Sequence, residues 1–262
     1  MDLSEKLAYL KTLVKLLEEC ADLISSRLGR PLYLVEEDKS RFRYANPDSR
    51  YFQALKAIRL VSLLNASIHL FKHGHFHEML ILLRSLYESD SQIEFVQEAH
   101  VFGVQTLDQP KIVEEFFKRD LQTAKDLLEN PRKDTRVPKK KIRAAIARMS
   151  KSIANAERVR RIAEIMEDAY SAYVHGEYPT IMELYEGGAE RFRLRGMFNT
   201  PKKEVYLWQM ASAIMNAMNS FIVVLRNFDL TQRADYVLAM RKELEGSELY
   251  KYKDENREVK PR

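Results

Sequence analysis

Four of the chain's six histidines fall within HLFKHGHFHE, residues 69–78: His69, His73, His75 and His77. Zinc takes nitrogen or sulfur ligands, and two histidines four apart on one helix turn their rings to one side. His69 and His73 meet that condition, and His77 is the third ligand such a site would need. Gly74 argues otherwise, because a glycine directly after Lys72 and His73 reads as the left-handed cap of a helix whose last turn carries positive charge. On that reading these are turn residues, and neither a metal nor any other cofactor is expected. A zinc site at His69, His73 and His77 stays as the alternative.

Two further places carry polar residues in apolar company. The run Met79 to Leu83 covers every side of a helix at 100° per residue, and Arg84 and Glu88 follow it, four apart on one face. An arginine beside such a run could hold phosphate charge, with the glutamate orienting it. The plainer reading is an ion pair that fixes helix packing. The second place is DAYSAYVHGEYP, residues 168–179, where apolar residues spread around the helix axis from Ile162 to Val174 and His175 falls at the end, before the capping Gly176. A histidine there could act as general acid or base, or could simply complement the helix dipole.

Charge is concentrated in one stretch. Residues 131–161 hold twelve Lys and Arg against two acids, so this segment is +10 within a chain whose formal net charge is +5. On one straight helix from about Lys139 to Val174, Lys140, Arg143, Lys151, Arg158 and Arg161 fall within an arc of about 80°. Such a stripe could track the phosphates of RNA or of another phosphate-bearing ligand. It could equally be a solvated face, or a contact for the chain's own acidic remainder. The stripe has no aromatic residues for stacking on bases, which argues against sequence-specific single-strand binding.

Helices must position all of these groups. The heptad-like stripe Leu7, Leu10, Val14, Leu17, Ile24, Leu28 predicts a first helix from Ser4 to Leu28, stopped by Gly29 and Pro31. Residues 32–50 lack helical period and read as a connecting loop with a short extended piece. A helical hairpin follows, Tyr51 to His73 and His77 to Ala99, turning at Gly74. Pro110 opens a helix that ends near Asn130, the long basic helix comes next, Pro201 precedes a Met- and Ala-rich helix to Asn227, and a last helix ends near Gly246. The Met210–Met218 segment suits either a core or a dimer face.

The expected fold is therefore an all-α bundle of about seven helices forming one domain over residues 1–246, with a charged, flexible tail at 247–262. The 45% hydrophobic content suffices for one large core. No apolar run approaches the roughly 20 residues of a membrane span. The charged N-terminal helix does not read as a secretory signal, and the single Cys20 suggests a reducing, cytoplasmic setting.

GHFHEMLILLRSLYESDSQIEFV followed by AYSAYVHGEYP resembles a family of uncharacterised, mostly bacterial helical proteins, with a G-x-x-x-x-A/M-x-x-L-x-R-x-x-x-E hairpin and a later S-x-Y/F-V-H-G helix end. The likeness covers about Tyr51 to Pro179. It implies that Arg84, Glu88 and His175 face one another in the bundle, and it extends distantly to HEPN bundles, many of them ribonucleases of toxin or phage-defence systems. HEPN sites place an arginine and a histidine a few residues apart on one helix, and no histidine here follows an arginine at that spacing. A shared site would have to join Arg84 and His175 from different helices. Two functions follow: a metal-independent, HEPN-like ribonuclease, or a non-catalytic helical scaffold or sensor that binds a protein or nucleic-acid partner, for which a homodimer is one form.

Overall fold

The computed structural model describes residues 1–36, 39–102, 106–118, 137–148, 153–185 and 192–250. Helix α1 spans Leu3–Leu28 and starts in a reciprocal cap, in which Asp2 Oδ1 accepts from the Glu5 amide and Glu5 Oε2 accepts from the Asp2 amide, both at 2.8 Å. Gly29, at φ 73°, ends it. Strands β1 (Leu32–Glu36) and β2 (Lys39–Arg43) form an antiparallel hairpin with Tyr33 opposite Phe42 and Leu34 opposite Arg41. The remaining described helices are α2 (Ser49–Lys72), α3 (Phe76–Phe102), α4 (Asp108–Lys118), α5 (Lys139–Arg148), α6 (Ile153–His175), α7 (Tyr178–Glu183), α8 (Lys203–Asn227) and α9 (Thr231–Gly246).

The architecture is all-α, as the periodicity predicts. Helix α8 is its axis: α1, α2, α3 and α9 all pack on it, and it is apolar on nearly every side. Ala211, Ala213 and Ala217 let neighbours approach closely while Met210, Met215 and Met218 fill the gaps, all six at most 3% exposed. These methionines are core, so of the two readings of this segment the structure takes the ordinary one. A smaller cluster of Phe52, Phe95, Val96, Val137, Ile142 and Ala145 joins α2, α3 and α5, with Phe116 of α4 edge-on to Phe52. By length and composition α2 and α8 could cross a membrane; in this fold 72% of the apolar window of α8 and half that of α2 are buried against other helices.

Three expectations change. The loop at 32–50 contains the β1–β2 hairpin, whose alternation Leu-Tyr-Leu-Val is too short to register beside helical stripes. The single long helix expected from Lys139 to Val174 is two helices lying side by side: Lys139 Nζ reaches Glu167 Oε1 at 2.5 Å, whereas 28 residues of straight helix would separate them by about 42 Å. The described residues thus contain nine helices rather than about seven. The helix expected from Pro110 to Asn130 is described only through Lys118, and 251–262 of the expected tail lie outside the described residues. The tail's first residues are packed, with Leu249 6% exposed and the Tyr250 carbonyl accepting from Trp208 Nε1 at 3.2 Å.

Candidate functional site

The turn between α2 and α3 sets the geometry of everything polar around it. Gly74 adopts φ 73°, and its carbonyl accepts from the Met197 amide at 2.9 Å. A Cβ on Gly74 would stand 2.8 Å from that same amide nitrogen, so both the left-handed backbone and the close approach of the 196–197 loop require glycine. The histidines around it go to different partners. The His69 and His73 rings lie tilted at 39° with centroids 4.4 Å apart, and His73 Nδ1 donates to the His69 carbonyl at 2.8 Å. His77, past the turn, faces the opposite way into the bundle. Among the described residues no three histidine, cysteine or carboxylate side chains could hold a metal ion together, and the alternative of a site at His69, His73 and His77 finds its third ring on another helix.

His77 instead meets Glu183. Its Nε2 donates to Glu183 Oε2 at 3.1 Å, and the same oxygen accepts from Tyr173 Oη at 3.1 Å and Tyr206 Oη at 2.8 Å, while Lys202 Nζ reaches Oε1 at 2.5 Å. Four donors from α3, α6, α8 and the residue before α8 thus converge on one carboxylate at the end of α7. Burial alone would push the Glu183 carboxyl up, but the hydrogen bonds from His77, Lys202 and Tyr206 outweigh it and hold the group down at about 2. Burial, and then the facing carboxylate, push the Tyr173 and Tyr206 hydroxyls up. The family resemblance ends at Pro179, short of Glu183, and a glutamate in a six-residue helix carries no periodic signal of its own.

Arg84 and Glu88 form the expected neighbouring pair, with Nε to Oε1 3.7 Å and side chains 19% and 48% exposed. The contact is looser than a hydrogen bond, because Glu88 also accepts from Lys139 Nζ at 3.0 Å. Lys139 bonds Glu167, which accepts from Arg143 Nη1 at 2.8 Å, so charges alternate from α3 through α5 to α6. The rest of α5 repeats this pattern: Lys141 pairs with Asp108 at 2.8 Å and Arg148 with the buried Glu98 at 2.6 Å. Of the residues expected in a phosphate-tracking stripe, Arg143 is therefore spent inside the molecule, Lys140 and Arg161 are exposed, Lys151 lies outside the described residues and the Arg158 side chain is likewise not described. Among the described residues, Lys140 and Arg143 lie on α5 and Arg161 on α6, so these three do not share one helix face.

His175 is the last residue of α6, exposed, with Gly176 in the left-handed conformation behind it at φ 61°. The end of α6 that carries it lies beside His77, whose ring is edge-on to Tyr173 at 5.0 Å. Arg84 is seven residues farther along α3, about 10 Å of helix rise, toward Glu167. No hydrogen bond or ring contact joins His175 to Arg84 or Glu88. The expected burial of this helix end is one-sided: Tyr170 is 2% exposed, but Ile165 and Val174 are 57% and 41% exposed.

Comparison with family models, with curated proteins and with solved structures returns no match.

A last cluster lies in the core of α3. Asp90 is 6% exposed and accepts from Ser220 Oγ of α8 at 2.5 Å. Burial, then the neighbouring Glu94, push the Asp90 carboxyl well above the carboxylate range, and burial pushes Glu94 up to about 7. The signal was present in the sequence, as two acids four apart on the stripe that carries Leu86 and Ile93.

Proposed function

We propose that this protein is a non-catalytic helical scaffold that binds a second copy of itself through the β1–β2 hairpin. The observation that carries the reading is the hairpin's isolation. A two-stranded hairpin alone is marginal in water and needs an apolar face covered, yet this one packs on no helix as a layer, and Tyr33, Val35 and Phe42 of one face are 58%, 66% and 67% exposed. Tyr33 and Phe42 pack against each other, with centroids 5.0 Å apart.

The charge pattern selects the edge and the occupant. Strand β2 carries Lys39, Arg41 and Arg43, so pairing two β2 edges would set like charges opposite. Strand β1 carries none from Leu32 to Val35, and an antiparallel pair centred on Leu34 sets Tyr33 against Val35 of the second copy in both directions, as a two-fold interface requires. The internal pairing of α5 with α3, α4 and α6 supports the same reading, because cations committed to the chain's own carboxylates are poor phosphate clamps. The HEPN-like ribonuclease reading lacks this support: His175 lies at the end of α6 beside His77, and Arg84 is seven residues farther along α3 with no hydrogen bond to it.

The mass of the full chain measured by light scattering after gel filtration tests the proposal. A dimer is expected, and Tyr33→Lys with Val35→Lys, which sets ammonium groups opposite each other across the two-fold, should give a monomer with an unchanged helical circular-dichroism spectrum. A monomer in the unsubstituted protein well above micromolar concentration overturns it.

A further inference from the structure

Helices α1 and α2 run antiparallel and leave a groove of about 260 Å³ between them, lined by Lys11, Lys15 and Glu18 of α1 and by Asn65, His69 and Lys72 of α2, with Ile68 below. Spacings of four and three on α1, and of four and three on α2, bring these side chains to facing stripes. The charges are sorted along the groove. At one end Glu18 is tied up by Asn65 Nδ2 at 2.5 Å. At the other, Lys11 and Lys72 meet, with Lys15 between the two ends.

What sets these three lysines apart is that they line one groove together without a carboxylate partner. Lys6, Lys118, Lys139, Lys141 and Lys202 each have a carboxylate partner, whereas among the described residues no carboxylate lies within 4.0 Å of Lys11, Lys15 or Lys72. Folding has nevertheless brought Lys11 and Lys72 together against their mutual repulsion, with Lys15 lining the same groove. The carbonyls at the end of α2, which would repel an anion, are already engaged: His69 and Leu70 accept from the His73 amide, Phe71 from the Gly74 amide, and His69 again from the His73 ring.

We propose that the α1–α2 groove binds a phosphate group, with Lys11, Lys15 and Lys72 as its ligands and the His69 side chain at its wall. Three mobile point charges around one open groove suit a compact multivalent oxyanion better than a planar carboxylate, which favours the fixed fork of arginine. Lys72, followed by partial burial, holds the Lys11 ammonium below its ordinary value, as expected where two cations share a site without a counter-ion. This site shares no residue with the Glu183 cluster or with the β1–β2 hairpin.

The phosphate could be carried by a soluble ligand or by a lipid headgroup, and the test separates them. Titration calorimetry of the full chain with pyrophosphate at low ionic strength is one arm, and sedimentation with vesicles containing phosphatidic acid is the other. Saturable binding in either arm is expected to weaken at least tenfold in Lys11→Gln and Lys72→Gln, to persist in Lys72→Arg, and to be unaffected by Lys118→Gln. The His69 ring proton signals should shift on saturation. Binding to neither probe, binding indifferent to the Lys11 and Lys72 substitutions, or equal displacement by chloride at matched ionic strength overturns the proposal. Because Lys11 is partly exposed and Lys72 exposed, and because either substitution relieves their mutual repulsion, neither should lower the melting temperature, which distinguishes lost binding from lost fold.

Discussion

His77, the second residue of α3, and Glu183, the last of α7, are 106 residues apart and meet at 3.1 Å with both side chains largely out of water, 11% and 18% exposed. The carboxylate ties together four parts of the chain, since Tyr173, Lys202 and Tyr206 donate to it as well.

Replacing Glu183 by Gln should cost about 2 kcal/mol at pH 7, the scale of hydrogen bonds to a charged group less what the amide recovers. The pH dependence carries a sign. Glu183 titrates at about 2 in the folded chain, below its ordinary 4.5, so its contribution is full above pH 4.5 and disappears as the pH falls toward 2. Melting temperatures of the two proteins should converge over that window; a constant gap down to pH 2 would show that the carboxylate's charge is not what the donors stabilise.

Glu94 should behave oppositely. Its carboxyl is pushed up to about 7, so the folded chain holds a proton that the unfolded chain has released between pH 4.5 and 7, and stability falls as the pH rises through that range. Glu94→Gln should raise the melting temperature at pH 8 by roughly 2–4 °C, which is what about 1 kcal/mol is worth in a domain of this size. At pH 4 the two proteins should melt together. A lower melting point for the variant at pH 8 would contradict the burial argument.

Three glycines with positive φ should differ in what alanine costs them. Gly29, at φ 73° with no atom within 4 Å of a built Cβ, should lose about 1 kcal/mol from backbone strain alone. Gly74 shares that φ but adds the Met197 amide at 2.8 Å, and Gly196, at φ 114°, adds the His73 carbonyl and the Phe198 ring at 2.9 Å. Gly74→Ala and Gly196→Ala should each cost more than about 2 kcal/mol, read from urea midpoints. Equal losses at all three positions would mean that the packing of the 196–197 loop on the turn contributes nothing.

The scaffold reading forbids RNA cleavage. The purified chain should leave a mixed RNA substrate intact, and His175→Ala, at an exposed helix end, should leave the melting temperature unchanged, while Arg84→Ala loses at most about 1 kcal/mol. Cleavage that disappears in both variants would restore the ribonuclease reading and require α3 and α6 to shift relative to each other.

The sequence by itself determined what depends on neighbours a few residues away. Apolar spacing fixed α1, the α2–α3 hairpin, α8 and α9, because one helical face must be buried wherever the chain goes. The left-handed turn at Gly74, the cap at Gly176 and the Arg84–Glu88 pair were legible for the same local reason. Only the tertiary structure decided which polar groups share a site. Nothing local reveals that Glu183 draws donors from four parts of the chain, or that Lys11 and Lys72 face each other across a groove. Nor does local pattern show that the basic stretch is two helices, Lys139–Arg148 and Ile153–His175, lying side by side, so that Lys139 finds Glu88 and Glu167 instead of phosphate. Charge on a helix face looks identical whether its partner is solvent, a ligand or the chain itself, and packing alone distinguishes them.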